Sequence, residues 1–465
     1  MSIMTPEHGT VAPDAMRQRE QVLRHLWMNF TRMSDYSRDD LPMWVRGEGP
    51  YIFDDTGKKY LDGLSGLFCN NIGHGRVEIA EAAERQLRTL AFAPTWGGAH
   101  PVAAELAAKI AHYAPGDLNR VLFTSGGSEA VEAALKLARQ YHYERGDRGR
   151  YKVISRMTAY HGCTMYATSV TPLNYCREPF EPMVGGARFI PNTDRYRCEG
   201  DWTAEALTAP LERTIAFEGP KTISAVIMEP VQAGGGALVA PPGYYERVRE
   251  ICDENGILLI ADEVICGWGR IGDWFASNRY GFAPDLLTTA KGLTSAYAPM
   301  GALIATDKVM EPFLEGTTTF QHGHTFSGHP LSAAVALANI EILEREQIPQ
   351  HVRSNEGTLR ASLDSLRDIP IVGDVRGAGY LWSIELVRDN ETKEKFGYSE
   401  VDELLRDLIS MELERRGLLL RTDRRGEPAI TLSPPLICGP EHFDEILGHL
   451  RPVLENATDK LGLGK

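Results

Sequence analysis

Two costly side chains close two apolar runs near the middle of the chain. Ile257–Ala261 is apolar throughout and ends in Asp262-Glu263, and Asp285-Leu-Leu-Thr-Thr-Ala290 delivers Lys291 followed by Gly292. A run without polar alternation suits a strand covered on both faces, as in a parallel sheet beneath helices. Ligands of open α/β sheets sit at the carboxyl ends of such strands, which is where Asp262 falls. A carboxylate and an amine are expensive to place there unless something pairs with them. A cofactor with a cationic ring nitrogen and an aldehyde pairs with both, the carboxylate holding the nitrogen and the lysine amine joining the aldehyde. Pyridoxal phosphate (PLP) carries both groups.

Other motifs could complete such a site, each with a plainer reading beside it. Ser125-Gly126-Gly127-Ser128-Glu129 follows the run Val121–Thr124 and opens a helical stretch over 128–145. Free N–H groups at a helix start bind phosphate, and glycines let the anion approach closely. A helix capped by Ser128 is the ordinary alternative. Tyr160-His161-Gly162 follows the run 152–155, and an aromatic ring there either stacks on a planar cofactor or fills the core. Glu229 ends the run 223–228 just before Pro230.

Phe320–Pro330 carries His322, His324 and His329. The H-x-H spacing invites a metal, but no carboxylate or cysteine cluster accompanies it, so no metal is expected. Gly267–Gly272 matches G-x-G-x-x-G after a strand, which makes a Rossmann NAD-dependent dehydrogenase the competing reading. Three features count against it. The run lies deep in the chain, no clean helix opens behind it, and Asp285 is too near for the usual offset of about 20 residues to the ribose-binding acid.

Asp262-Glu263-Val264, the Gly267–Gly272 turn, Pro284-Asp285 and Ala290-Lys291-Gly292 together resemble the class III aminotransferases of PLP fold type I. Within that class the chain is similar to the ω-transaminase (amine:pyruvate) branch, over nearly its whole length, residues 20–455. The resemblance implies that Lys291 and Asp262 are the catalytic pair. It places the cofactor phosphate at Ser125, Gly126 and Gly127, the ring between Tyr160 (of the Tyr160-His161 motif) and Val264, and Glu229 near the ring. Thr325 would bind the phosphate of the partner subunit's site, so a homodimer with composite sites is implied.

For the substrate pocket the resemblance points to Phe30, Phe68, Trp96, Tyr160 and Arg421. Phe68 stands where the family's G-L-W-C motif has Trp, which enlarges that wall and removes an N–H donor. Arg421, read as closing a strand over 417–420, matches the arginine that pairs with a substrate carboxylate and swings away for apolar amines; Arg424 or Arg425 could compete for that role. The implied reaction is ping-pong transfer of an amino group from an amine or ω-amino acid to pyruvate or another keto acid. Aminomutases, racemases and decarboxylases share the fold and stay open as alternatives.

The elements that must position these residues are readable in outline. From Val121 short apolar runs alternate with helical stretches, the pattern of a doubly wound, mostly parallel α/β sheet. Tyr51–Gly63 alternates around Asp55-Thr56-Gly57, a hairpin signal, and a helix is expected from residue 16, with an irregular stretch to 36. After Thr325 the pattern predicts a helix at 331–346, another at 355–367, strands near 371–376 and 380–387, a helix at 400–416, a strand at 429–433 and a terminal helix from 440. The division is therefore residues 1–70 as N-terminal arm and hairpin joined to a small α+β domain, 71–330 as the large PLP-binding domain, and 331–465 as the small domain. The first ~15 residues read as a mobile polar arm.

Composition bounds the rest. A formal net charge of −14 argues against nucleic-acid or anionic-membrane surfaces. Seven scattered cysteines without C-x-x-C fit reduced thiols in a cytoplasm. No apolar stretch is long enough for a membrane helix or a signal peptide.

Overall fold

The computed structural model describes residues 13–37, 41–423 and 427–463. Residues 1–12 of the expected arm and the Arg424-Arg425 pair lie outside the described residues. A helix already runs over Pro13–His25, so the arm ends, and the helix begins, earlier than the sequence pattern predicts.

A seven-stranded sheet carries the centre of the molecule. Its strands in chain order are β1 (Leu118–Thr124), β2 (Lys152–Arg156), β3 (Ala187–Ile190), β4 (Ile223–Met228), β5 (Leu258–Asp262), β6 (Leu286–Thr289) and β7 (Gly301–Thr306). Across the sheet they stand β1-β7-β6-β5-β4-β2-β3. Only β7 runs against its neighbours; β6, β5, β4, β2 and β3 are parallel. Every residue of β4, β5 and β7 is buried.

The alternation of side chains explains that double burial. Ala225, Ile227, Leu258 and Ile260 pack with Val131, Ala134 and Leu135 of helix α1 (Gly127–Glu144). The intervening Val226, Leu259 and Ala261 pack instead with Val248 and Ile251 of helix α2 (Tyr244–Asn255). Each buried Val, Leu or Ile contributes about 1.5–3 kcal/mol of transfer free energy. The same period of two turns Asp262 toward the α1 side, the side of Leu258 and Ile260.

The rest of the chain forms two smaller sheets. Val372–Ala378, Leu381–Leu386, Ala429–Leu432 and Arg421–Asp423 make an antiparallel set. Trp44–Glu48, Tyr51–Asp54 and Lys59–Asp62 form a meander that turns at Asp55–Gly57, and Leu418–Leu419 adds to it in parallel, with Leu418 opposite Leu61. Helix α3 (Pro330–Arg345) and the helices Ile348–Asp364 and Pro440–Lys460 pack around them.

Some expectations need correction. Arg421 does not close a strand over 417–420. The chain changes sheets between Leu419 and Arg421, so Arg421 opens a separate strand opposite Thr431. The helix expected at 355–367 starts at Ile348. The helix expected at 400–416 widens to π turns over Glu403–Ser410, which brings Leu404 and Ile409, five residues apart, into the core together.

Among the described residues no helix is long and apolar enough to cross a membrane, and the seven cysteines are free thiols.

One buried base ties α1 to β4. His142 donates through Nε2 to the Ser224 carbonyl at 3.0 Å, and burial pushes its imidazole down to about 4, with Arg150 adding to the effect. The unfolded chain takes up this proton near pH 6.5 and the folded one only near 4, so this contribution is complete above pH 6.5 and is lost as pH falls toward 4. The loss across that window is about 3 kcal/mol. His142→Gln, which keeps an N–H donor, should therefore flatten the fall in urea-unfolding free energy between pH 7 and pH 5 relative to the parent.

Candidate active site

A cavity of about 480 Å³ opens at the carboxyl ends of β5 and β6 and at the start of α1. Ser125, Gly126 and Gly127 form one end, Tyr160 and His161 one side, and Val264 and Lys291 face them. Asp262 and Glu229 also line it.

Register explains the meeting of acid and lysine. Asp262 is the last residue of β5 and pairs with Thr288 on β6, three residues before Lys291. Asp262 is only 4% exposed, and three donors converge on its carboxylate. His161 Nδ1 lies 2.8 Å from Oδ2, while Thr288 Oγ1 and the Val264 N–H donate to Oδ1 at 3.1 and 3.2 Å. An ionised carboxylate can only accept, so the His161 tautomer with its proton on Nδ1 is the one that fits.

Glu229 stands close by, with its Oε1 accepting from the Tyr160 N–H at 3.1 Å and its Oε2 from the Ala233 N–H at 3.0 Å. Burial raises its carboxyl above the usual range; His161 opposes the shift and Asp262 reinforces it. Glu263, one residue beyond Asp262, points the other way. It accepts from the backbone N–H groups of Ala276 and Ser277 and from Ser277 Oγ, at 3.0, 2.6 and 2.6 Å, and burial pushes it up to about 7 against those donors.

The anion end is built from backbone. Gly126 is extended just before the 18-residue helix α1, and a Cβ added to it would meet nothing within 4 Å, so the space over it is open to the cavity. Gly127 has no such freedom: a Cβ there would lie 2.8 Å from Val264 Cγ1. Glu129 Oε2 accepts the Ser125 N–H at 2.7 Å and holds the turn. Free N–H groups at the start of a long helix favour a phosphate-sized anion.

Lys291 sits in the left-handed region, φ 44°, at the start of a short turn. Asn339 on α3 clamps that turn, donating through Nδ2 to the carbonyls of Gly292 and Leu293 at 2.9 and 3.0 Å and accepting from Ser295 Oγ at 2.6 Å. The backbone at Gly292 passes so close to Asn71 that a Cβ would come within 2.4 Å of its Nδ2. Neither Asn339 nor Asn71 was among the residues singled out from the sequence. A buried asparagine in the apolar stretch of α3 is the signal that could have found the first.

The remaining expected residues lie elsewhere. Phe68 is buried beside the cavity, and it is Leu67 that lines it. Residues 65–68 are strained, with Ser65, Gly66 and Phe68 all at positive φ, and the Asp62 carboxylate accepts the Gly66 N–H at 2.7 Å. Arg421 Cζ lies 6.0 Å from the Phe68 ring centroid, and its Nε is 3.1 Å from Asp423 Oδ2. Phe30, Trp96 and Thr325 are exposed and line no part of this cavity. Trp96 and Thr325 are neighbours, since the Trp96 indole donates to the His324 carbonyl at 3.3 Å. The three histidines are spread through packing: His322 Nδ1 meets Lys136 Nζ at 3.0 Å, His324 lies 3.8 Å from Glu129, and His329 caps α3.

The family model of aminotransferase class III matches residues 35–454. The chain belongs to the class III aminotransferases. A probable aminotransferase of Mycobacterium tuberculosis is 52% identical to it, covering 94% of each chain. A putrescine–pyruvate aminotransferase of Pseudomonas aeruginosa is 39% identical over 92% of this chain and 94% of that one. Among solved structures, an (S)-enantioselective omega-transaminase from Thermomicrobium roseum superposes with a TM-score of 0.90 at 38% identity, covering 96% of this chain and 98% of that one. An omega-transaminase from Pseudomonas jessenii in complex with PMP gives 0.91 at 32% identity, covering 96% and 99%.

The protein is thus a PLP-dependent aminotransferase, and the dehydrogenase reading is withdrawn. The Gly267–Gly272 run of this aminotransferase cradles no ligand. Its Trp268 is fully buried, and added Cβ atoms at Gly267, Gly269 and Gly272 would meet Glu263, Leu436 and Arg353. Between them Arg270 is buried and donates to Ser65 Oγ, Asn71 Oδ1 and the carbonyls of Tyr380 and Pro434. In this aminotransferase the run ties the cavity wall to the C-terminal sheet.

Asn339→Leu should lose about 2–4 kcal/mol of stability, because the Leu293 carbonyl and the Ser295 hydroxyl lose their buried partner and the Gly292 carbonyl keeps only the longer bond from the Ser295 N–H. Urea unfolding checks the loss, and turnover should fall with it as the Lys291 turn loosens.

Proposed function

We propose that the aminotransferase transfers the amino group of a primary amine or ω-amino acid to pyruvate or a related keto acid, using Lys291 and Asp262 as its catalytic pair. The observation that carries the proposal is that Asp262, held by three donors, faces the same cavity as Lys291 and the open backbone at Gly126. That donor set fits PLP: a phosphate cradle, a carboxylate for a ring nitrogen and an amine, in a space of suitable volume. When bound, PLP supplies an aldehyde for the incoming amine and a cationic ring that draws electrons from the substrate carbon.

Each residue then has a definite task. Ser125, Gly126 and Gly127 bind the phosphate, the two glycines through backbone donors, and the charge of that group suits the start of α1. Tyr160 and Val264 bracket the ring. Asp262 keeps the ring nitrogen protonated, while His161 orients the buried carboxylate by a hydrogen bond from Nδ1 and Glu229 fixes the Tyr160 backbone. Lys291 Nζ carries the proton between positions of the substrate, as a general base and then a general acid.

The same reading makes the enzyme a cytoplasmic homodimer that binds neither nucleic acid nor membrane. The free thiols and the net charge of −14 support the compartment and the last point. For the dimer, Leu87, Phe92, Trp96 and Phe326 are large apolar side chains left exposed around the Thr325 loop, and a second copy would cover them. Thr325 would then reach the partner's phosphate site, with Trp96 and Phe30 joining the substrate wall. Residues 1–70 and 331–465 form one small domain in this reading, supported by the pairing of Leu61 with Leu418.

Lys291→Ala dimers should be inactive and Thr325→Ala dimers impaired. If the sites are composite, mixing the two yields dimers in which one site carries both lesions and the other neither. Activity above the sum of the parents, measured after subunit exchange, is the expected result; none above the Lys291→Ala and Thr325→Ala parents sinks the arrangement.

Arg421 gives the substrate side of the proposal. Its present partner Asp423 can be exchanged for a substrate carboxylate, and losing such a pair costs about 2–4 kcal/mol. Arg421→Ala should raise KM for pyruvate strongly while leaving single-turnover amination of the cofactor by a carboxylate-free amine almost unchanged. Equal losses for both substrates move the carboxylate site elsewhere.

A further inference from the structure

A second cavity, of about 510 Å³, lies between residues 193–202 and the strands and helices after 360. Its wall carries Arg195, Arg360, Arg367, Arg376 and Lys393 against a single acid, Asp374. In a chain of formal net charge −14 this concentration of positive charge is out of proportion. We propose that this cavity binds a nucleoside di- or triphosphate.

The cations divide into a floor and a rim. Arg376 and Arg367 are used by the protein. Arg376 donates to the carbonyls of Gly235 and Gly236 and to Glu385 and Asp374, and Arg367 reaches Asp364, Asp374 and the Val375 carbonyl. At the rim the charges are barely neutralised. Among the described residues Arg195 has no carboxylate partner and lies over the Trp202 ring, 5.2 Å from its centroid. Lys393 donates only to the Tyr196 carbonyl at 2.8 Å, and Arg360 has one loose contact, 3.4 Å to Asp364.

Guanidinium and ammonium groups that are not consumed by acids are the groups that take up phosphate oxygens, arginine bidentately. The aromatic residues Trp202, Trp382 and Tyr196 stand in the same wall. An indole already faced by a guanidinium offers a surface on which a planar base stacks. The volume lies within the usual range for small-molecule sites. None of these residues lines the aminotransferase cavity.

The test is calorimetric titration of the PLP-loaded enzyme with ATP in EDTA, with tripolyphosphate, inorganic phosphate and adenosine in parallel. ATP should bind, tripolyphosphate more weakly, and adenosine and inorganic phosphate at least about tenfold more weakly than ATP, a difference of 1.4 kcal/mol or more. Arg195→Glu/Lys393→Glu should weaken ATP at least about tenfold while transamination is unchanged. Trp202→Leu should bring ATP down to the affinity of tripolyphosphate. Absence of ATP binding, equal binding by the double variant, or tripolyphosphate binding as tight as ATP overturns the proposal. So does ATP binding that bleaches the cofactor's visible absorbance, because that places the nucleotide in the Gly126 cradle.

Discussion

Keeping a carboxylate charged at the buried end of β5 is the condition on which the rest of the molecule is built. Stripped of water, a buried carboxylate needs protein donors in its place. Asp262 stays available because three donors from three different stretches converge on it: His161 after β2, Thr288 in β6 and the backbone of Val264. That convergence demands the parallel register of β5 with β6 and of β4 with both β5 and β2. A slip of one residue would turn Asp262 to the α2 side, away from all of them. Two more buried acids follow from the same crowding. Glu229 shares His161 with Asp262, and Glu263 is sent to the opposite side, where it is satisfied by Ser277 and Ala276.

The meeting of Asp262 and Lys291, the proposed catalytic pair, in one cavity was foreshadowed in the sequence for the same reason. A charge at the end of an apolar run is a local anomaly that a single stretch of residues displays, and both Asp262 and Lys291 display it. The glycine cradle and the alternation of strands and helices were legible too, since each is written within about thirty residues. What could not be read involves partners far apart in the chain. The clamp of Asn339 on the Lys291 turn spans 47 residues, and that of Asn71 on Trp268 spans 197. The change of sheet at Leu420 depends on Leu61, which pairs with Leu418 from near the other end of the chain. That Leu67 rather than Phe68 faces the cavity depends on a strained backbone over 65–68 that no propensity favours. The glycine run at 267–272 misleads for a related reason: its spacing suits a dinucleotide, but its small residues serve close packing around Arg270.

Substrate selection and cofactor chemistry are separated in this architecture. The groups that hold and protonate the cofactor sit on strand ends and at a helix start, where neighbouring backbone fixes them. The groups read as sorting substrates sit on a strained turn, a strand edge and exposed loops: Leu67, Phe68, Arg421 and Trp96. Such segments tolerate change without disturbing the sheet.

The meander over residues 44–62 carries a consequence for how the chain is made. Its last strand is completed only by Leu418–Leu419, and the Leu61 N–H waits for the carbonyl of Gly417, more than 350 positions downstream. During synthesis the first folded-looking segment therefore emerges with one edge open, and stays so until about nine-tenths of the polypeptide has left the ribosome. An unpaired edge of this kind is a template for other strands. Lys59 is an exposed charge on that edge and discourages such pairing in the interval. Final closure of this sheet is thus a late, long-range event in the making of the chain.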